Sequence, residues 1–219
     1  MINKNLVKKI DKETIERYNN RLKKFGPEVR TLGWNTEYNQ QKRFESATSL
    51  INLKGKSIVD IGCGFGDFLK FIKERKIKTS SFRGIDINED LLKVARKRYP
   101  GIIFENRNIL IDLPKKKVAD IGFALGVLNF NLKNKPNNYK YAVEFIKSAF
   151  TLCKEALVVD MLSNYLDKDY PKEDFVFYYS PERMFKEAKK ISPYVILKHD
   201  YPPLPQNEFL LILKRKPCP

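Results

Sequence analysis

Apolar positions in the first part of the chain recur at helical spacing. From Ser57 onward they gather into short runs separated by helical segments. Leu6, Ile10, Ile15, Tyr18, Leu22 and Phe25 predict an amphipathic helix over residues 5–25, ended by Gly26-Pro27. Thr31-Leu32-Gly33-Trp34-Asn35 reads as an ordered turn, and a second helix over 37–52 closes at Lys54-Gly55-Lys56. Strands are then expected at Ser57–Ile61, Phe82–Ile87, Ile102–Glu105, Ala119–Ala124 and Ala156–Asp160. Helices are expected between them at Asp67–Arg75, Glu89–Tyr99 and Asn138–Cys153. Strands alternating with helices require a parallel sheet covered on both faces.

The end of the chain breaks this rhythm. After a helix at Pro181–Lys190, strands at Tyr194–Lys198 and Glu208–Leu213 are separated only by a loop containing Pro202-Pro203-Leu204-Pro205. No crossover helix fits there, so these two strands pair as an antiparallel hairpin.

The chemistry concentrates in Ile58-Val59-Asp60-Ile61-Gly62-Cys63-Gly64-Phe65-Gly66-Asp67, followed by Gly84-Ile85-Asp86-Ile87-Asn88. A strand ending near an acid enters a glycine turn, then a helix, and a second strand ends on another acid 20 residues beyond Gly66. Such a unit cups a nucleoside-bearing ligand, with the second acid gripping ribose hydroxyls. The dinucleotide fingerprint G-x-G-x-x-G is absent; the spacing is G-x-G-x-G, with Asp60 ahead of it and Asp67 behind. Two carboxylates repel a pyrophosphate and suit a ligand carrying an ammonium and a sulfonium. On these residues the chain resembles the class I S-adenosylmethionine-dependent methyltransferases, whose first motif commonly reads as residues 59–66 do here.

The resemblance covers roughly residues 55–214 and implies an α/β fold: a seven-stranded, doubly wound, mostly parallel sheet with an antiparallel C-terminal hairpin strand. It divides the chain into an N-terminal helical lid, 1–54, and a cofactor-binding core, 55–219, within one compact domain. In such sheets ligands lie beyond the carboxyl ends of the strands. That rule selects Asp60, Gly62, Cys63 and Gly64 after the first strand, Asp86 and Ile87 after the second, Asn108 and Ile109 after the third, and Leu125 and Gly126 after the fourth.

Roles for these positions come from the resemblance. It implies S-adenosyl-L-methionine as cofactor, with S-adenosyl-L-homocysteine as product. Asp60 would face the methionine ammonium, and Gly62 and Gly64 would let the turn approach. Asp86 would accept the ribose hydroxyls and Ile87 would pack on adenine. Asn108 replaces the aspartate many members carry, and its side-chain oxygen still accepts a bond from the adenine amino group. Trp34, Gln40 and Arg43 resemble a lid whose arginine pairs with the methionine carboxylate; the alternative is that Trp34 anchors the N-terminal helices and Arg43 is solvated.

Composition adds limits. The chain has 219 residues, 42% of them hydrophobic, which suits one domain with a full core. It has no apolar run of about 18 residues and no apolar N-terminal leader pattern, so no membrane span and a cytoplasmic location are expected. Cys63, Cys153 and Cys218 form no C-x-x-C pair and His199 is the one histidine, so neither a metal site nor a disulfide is expected. Cys63 reads as a small residue that fits the turn. The net charge of +16 is spread along the chain. It leaves nucleic acid open as a partner without favouring it over a solvated, lysine-rich surface.

Methyl transfer from a sulfonium needs positioning above all, and a base only if the acceptor must lose a proton as it attacks. Acceptor-side candidates are Asn129 and Phe130 past the fourth strand, Ser163, Asn164 and Tyr165 past the fifth, and Tyr178 and Tyr179 before the last helix. His199, Asp200 and Tyr201 follow the sixth. His199 is the candidate catalytic base by its ordinary pKa, although its strand belongs at the sheet edge, and a loop-stabilising role competes. The aromatic run Phe175-Val176-Phe177-Tyr178-Tyr179 reads as core packing, with stacking on a flat acceptor as the alternative. Leu125-Gly126-Val127-Leu128 stands where amino-methylases of nucleic acid bases carry Asn/Asp-Pro-Pro-Tyr/Phe. The reading is a methyltransferase acting on an oxygen or nitrogen of a polar small molecule. An RNA methyltransferase and a catalytically silent cofactor-binding scaffold are the alternatives, and a nicotinamide enzyme is disfavoured by the glycine spacing and the hairpin. Oligomeric state is not encoded in these features.

Overall fold

Seven strands form a single sheet in the order β3-β2-β1-β4-β5-β7-β6. The strands are β1 (Ser57–Ile61), β2 (Ser81–Asp86), β3 (Ile103–Asn106), β4 (Ala119–Ala124), β5 (Cys153–Leu162), β6 (Tyr194–Lys198) and β7 (Glu208–Lys214). The helices are α1 (Lys4–Phe25), α2 (Glu37–Thr48), α3 (Asp67–Glu74), α4 (Glu89–Arg98), α5 (Asn138–Thr151) and α6 (Pro181–Ile191). The structure is a computed structural model and describes all residues except Met1, Asp167, 169–171, 202–206 and 218–219. The Pro202–Pro205 loop and Cys218 therefore lie outside the described residues.

β1 pairs in parallel with β2 and β4, β2 with β3, and β4 with β5. β7 runs antiparallel between β5 and β6, so the expected hairpin is present and β6 is an edge. Side-chain alternation along the strands feeds two cores. Ile58, Phe123, Val158 and Ile212 face α2, α3 and α4, while Val59, Val159, Leu211 and Leu213 face α5 and α6. The first core is strongly aromatic: the Phe68 ring lies 4.6 Å from that of Phe123 and 5.2 Å from that of Phe44. Such tilted pairs contribute about 0.5–1.5 kcal/mol each beyond area burial.

Two elements, α2 and β5, differ from the sequence expectation by three or more residues at one end. α2 stops at Thr48, whose hydroxyl donates back to the carbonyls of Phe44 and Glu45. β5 begins at Cys153 and runs to Leu162, well beyond its central apolar run. Its neighbours extend it at both ends, Ala119 of β4 opposite Cys153 and Glu208 of β7 opposite Leu162. Among the described residues, no helix is long and apolar enough to cross a membrane.

Candidate active site

The carboxyl ends of β1 to β4 open into one cavity of 440 Å³. All eleven positions expected to bind the cofactor line it: Trp34, Arg43, Asp60, Gly62, Cys63, Gly64, Asp86, Ile87, Asn108, Ile109 and Leu125. At its floor Gly62 adopts φ +82°, and a Cβ there would lie 2.5 Å from Val127 Cγ2. The turn after β1 thus meets the loop after β4 so closely that only a hydrogen fits between them.

Asp86, at the end of β2, is held on both oxygens. Oδ2 accepts from the Gly64 N–H at 2.8 Å and Oδ1 from the Asn88 N–H at 2.8 Å. Each oxygen keeps a lone pair for a ligand hydroxyl. Burial raises the Asp86 carboxyl above its ordinary range, against the lowering pull of these backbone N–H groups.

Asp60 differs. It is 4% exposed and accepts no hydrogen bond from any described residue. Burial first, then the charges of Asp86 and Asp67, push its carboxyl up to about 8. A buried, unpaired acid in an already negative pocket favours a cationic ligand that restores its charged form. This donor set fits S-adenosylmethionine, whose ammonium and sulfonium are cationic and whose ribose needs acceptors.

Cys63 is a packing residue by geometry: its sulfur lies 2.7 Å from where a Cβ on Gly84 would sit. Burial, with Asp86 and Asp60, raises its thiol well above the ordinary value. Asn108 is tied on both sides, its Oδ1 accepting from the Leu110 N–H at 2.7 Å and its Nδ2 donating to the Asp11 carboxylate at 2.8 Å.

Arg43 corrects an expectation. It is 4% exposed, with Nε 2.8 Å from Glu208 Oε2 and 3.0 Å from Asp160 Oδ2, and Nη2 donates to Glu208 Oε1. Its Cζ sits 3.9 Å over the Trp34 ring. Glu208 and Asp160 thus take the Nε–Nη2 side of the guanidinium, and the alternative of a solvated arginine does not hold. Asp160 also accepts from the Gly126 N–H at 2.5 Å, so α2, β5, β7 and the loop after β4 meet at one buried ion cluster. Gly126, at φ +77°, is required by close approach, since a Cβ would lie 2.9 Å from Arg43 Nη1. Gln40 does not reach this cluster: its Nε2 donates to Asp67 Oδ2 at 3.1 Å.

The opposite wall belongs to α1. Asn19 Nδ2 donates to Asp90 and Asn19 Oδ1 accepts from Asn88 Nδ2, which with the Asp11–Asn108 pair fastens the helix across the ends of β2 and β3. Asp11, Thr14, Arg17, Tyr18 and Arg21 line the cavity from that helix. Sequence reasoning read only the apolar stripe here. The missed signal was an Arg-Tyr pair, Arg17-Tyr18, set among the apolar positions of a helix.

Of the acceptor-side candidates, Asn129 and Phe130 line the cavity, as do Phe175 and Val176 of the aromatic run. Phe130 and Val176 form an antiparallel bridge, and the Phe177 N–H donates to the Asn129 carbonyl at 2.9 Å. Ser163, Asn164, Tyr165, Tyr178, Tyr179, Asp200 and Tyr201 do not line it. Tyr179 is fully buried with its hydroxyl donating to the Leu128 carbonyl, Tyr178 accepts from the Glu173 N–H, and Asp200 pairs with Lys198. His199 also stands outside the cavity, exposed past the edge strand between the rings of Tyr165 and Phe209. Partial desolvation lowers its pKa, against the raising pull of the nearby Glu182. The insertion of β7 between β5 and β6 moves it away from the cavity, so the expectation of a base there has no geometric support. Among the described residues, no group of three or more His, Cys, Asp or Glu could hold a metal ion.

A glycine turn after β1, a buried acid at the end of β2 and one antiparallel strand in an otherwise parallel sheet are together the pattern of a class I methyltransferase. The model of a methyltransferase domain family matches residues 52–173, and the chain belongs to that family, with S-adenosylmethionine as cofactor. A candidate methyltransferase of Mycobacterium tuberculosis, Rv1506c, is 27% identical over 147 residues, covering 66% of this chain and 86% of that protein. Magnesium protoporphyrin IX methyltransferase from Synechocystis PCC 6803, solved with bound S-adenosylhomocysteine, has the same fold, with a TM-score of 0.68 at 15% identity, covering 93% of this chain and all (100%) of that one. The small RNA methyltransferase HEN1 also shares it, with a TM-score of 0.61 at 18% identity over 82% of this chain and 25% of its own length.

Proposed function

We propose that this enzyme transfers a methyl group to an oxygen or nitrogen atom of a polar small molecule. The observation that carries this reading is the continuity of one cavity from the Gly62 turn to Asn129 and Phe130, roofed by α1. A 440 Å³ cavity walled by a helix suits a small acceptor rather than a polymer strand. Bound S-adenosylmethionine supplies a methyl group already activated on a sulfonium. The chain's part is to bind, orient and exclude water. Asp86 receives the ribose hydroxyls, Ile87 packs on the adenine, and Asp60 faces the ammonium. Gly62 and Gly64 leave room for the methionine half, and Asn108 borders the adenine edge. Residues 1–54 act as the lid, α1 forming its inner surface.

A second reading, methylation of RNA, is supported by the net charge of +16 and by the fold shared with HEN1. Activity on RNA that falls steeply between low and moderate salt would favour it, whereas a small-molecule enzyme is far less sensitive.

The test is calorimetric titration with S-adenosylmethionine and S-adenosylhomocysteine, with NAD as control. Micromolar binding of the sulfur ligands and none of NAD is expected. Asp86→Ala is expected to weaken S-adenosylhomocysteine at least about 100-fold, by loss of charge-assisted hydrogen bonds, with far-UV circular dichroism unchanged. Unaltered affinity in that variant would overturn the site assignment.

A further inference from the structure

Four arginines line the cavity, and three of them are spoken for. Arg43 is forked onto Glu208, Arg107 pairs with Glu105 and Asp112, and Arg21 donates to the carbonyls of Thr31 and Arg30. Arg17 makes no hydrogen bond or ion pair with any described residue. Its guanidinium is instead held between two rings, 4.7 Å from the Phe130 centroid and 4.4 Å from that of Phe175. Stacking occupies the faces of the guanidinium and leaves its N–H edges, the part that reads a carboxylate or phosphate in a plane. The two rings come from the loop after β4 and the segment before α6, which the Phe130–Val176 bridge joins. Arg17 is thus oriented by two parts of the chain remote from its own helix while its own charge is unanswered.

The neighbouring residue carries the complementary sign of incompleteness. Asn129, next to Phe130, has a side-chain Oδ1 that is shielded from solvent and accepts no hydrogen bond, although it lines the cavity. Buried acceptors are rarely left unpaired, and a ligand N–H or O–H is one way to satisfy this one. One unanswered cation and one unanswered acceptor, on adjoining parts of the same wall, describe a ligand with the opposite features.

We propose that the acceptor-side half of the cavity binds a small, flat organic acid, its anionic group on the Arg17 edge and an N–H or O–H of its reacting end on Asn129 Oδ1. The inference rests on the methyltransferase reading of the cavity and adds the substrate class. Asn129 acts as a positioning residue: by accepting the hydrogen it fixes which way the lone pair of the nucleophile points. Phe175, read from sequence as a packing or stacking group, and Phe130, read as an acceptor-side candidate, set the plane of the guanidinium.

The experiment uses the full chain saturated with S-adenosylhomocysteine, titrated with benzoate, its neutral isostere benzamide, and the three aminobenzoates. Saturation itself is verified first; if S-adenosylhomocysteine does not bind, the cofactor reading fails, and with it this proposal. With the cofactor product bound, benzoate is expected to bind at least about tenfold more tightly than benzamide. At least one aminobenzoate is expected to bind more tightly than benzoate. Arg17→Gln should abolish the preference for acid over amide, and Arg17→Lys, which keeps the charge and loses the fork, should retain part of it. Asn129→Ala should erase the gain from the amino group and leave the acid preference in place. Equal binding of benzoate and benzamide, no binding of either, or a preference that survives Arg17→Gln would overturn the proposal. An aminobenzoate gain that survives Asn129→Ala, or no gain for any isomer, would overturn the role of Asn129.

Discussion

The two halves of the cavity are built in opposite ways. The half proposed for the cofactor centres on one stretch of chain, Asp60 to Asp86, in which turn, helix and strand follow one another, with Trp34, Arg43, Asn108, Ile109 and Leu125 added from elsewhere. The half proposed for the acceptor is assembled from α1, the loop after β4 and the segment before α6, and Arg17 meets Phe175 from the far side of the sequence. The first half is built around a local motif whose residues are close together in the chain. The second exists only once the chain has closed, so its specificity can differ between proteins that share the first. The buried cluster of Arg43, Asp160 and Glu208 lies where the halves join, through Gly126 and Trp34.

Breaking that junction should have the largest effect on the fold. Arg43→Met leaves Asp160 and Glu208 buried without their cation and is expected to cost about 3–5 kcal/mol in urea denaturation. Adding Asp160→Asn and Glu208→Gln should recover part of the loss, because the uncompensated charges are then removed. If Arg43→Met alone is neutral, the junction does not hold the halves together.

A second effect separates the halves by pH. With its pKa raised from 3.8 to about 8, folded Asp60 keeps a proton that the unfolded chain releases. Stability of the cofactor-free protein therefore falls as pH rises from the ordinary carboxylate range to about 8, and Asp60→Asn should flatten this slope. The ligand's ammonium favours the carboxylate form, so S-adenosylhomocysteine affinity should rise with pH by up to about tenfold per unit until that value. Calorimetry at pH 6 and 8 in buffers of different ionisation enthalpy reads the released proton directly. A pH-independent affinity in the native protein would remove Asp60 from contact with the ammonium.

The smallest expected effect sharpens how closely the turn meets the β4 loop. Gly62→Ala places a Cβ against Val127 at a backbone conformation of φ +82°, and should lower stability by about 1–3 kcal/mol. Val127→Ala in the same chain should relieve the contact and leave the backbone strain. Full recovery in the double variant would mean that sterics alone, and not the turn conformation, require glycine.

Much of the architecture was legible because it rests on short-range signals. Hydrophobic periodicity located all seven strands, and β1, β4 and β6 fall on the expected residues. The missing crossover before β7 announced the hairpin. The glycine spacing and its flanking acids pointed to the cofactor before any contact was known. Arg43 was singled out from the sequence and lines the cavity, but its partners, Asp160 and Glu208, lie on strands that become neighbours only in the sheet. His199 lies past the edge strand β6, as its place in the sequence already implied, so its candidacy as a base rested on its ordinary pKa and not on position.

The sequence by itself determined the alternation of elements, the glycine turn with Asp60 and Asp86, and hence the class of ligand, because these depend on residues close together in the chain. Only the tertiary structure decided which arginines keep a free edge, which buried acceptor lacks a partner, and which acid stays uncompensated. Those properties are differences between what a side chain could bond to and what the folded neighbours leave it, and long-range packing alone sets that difference.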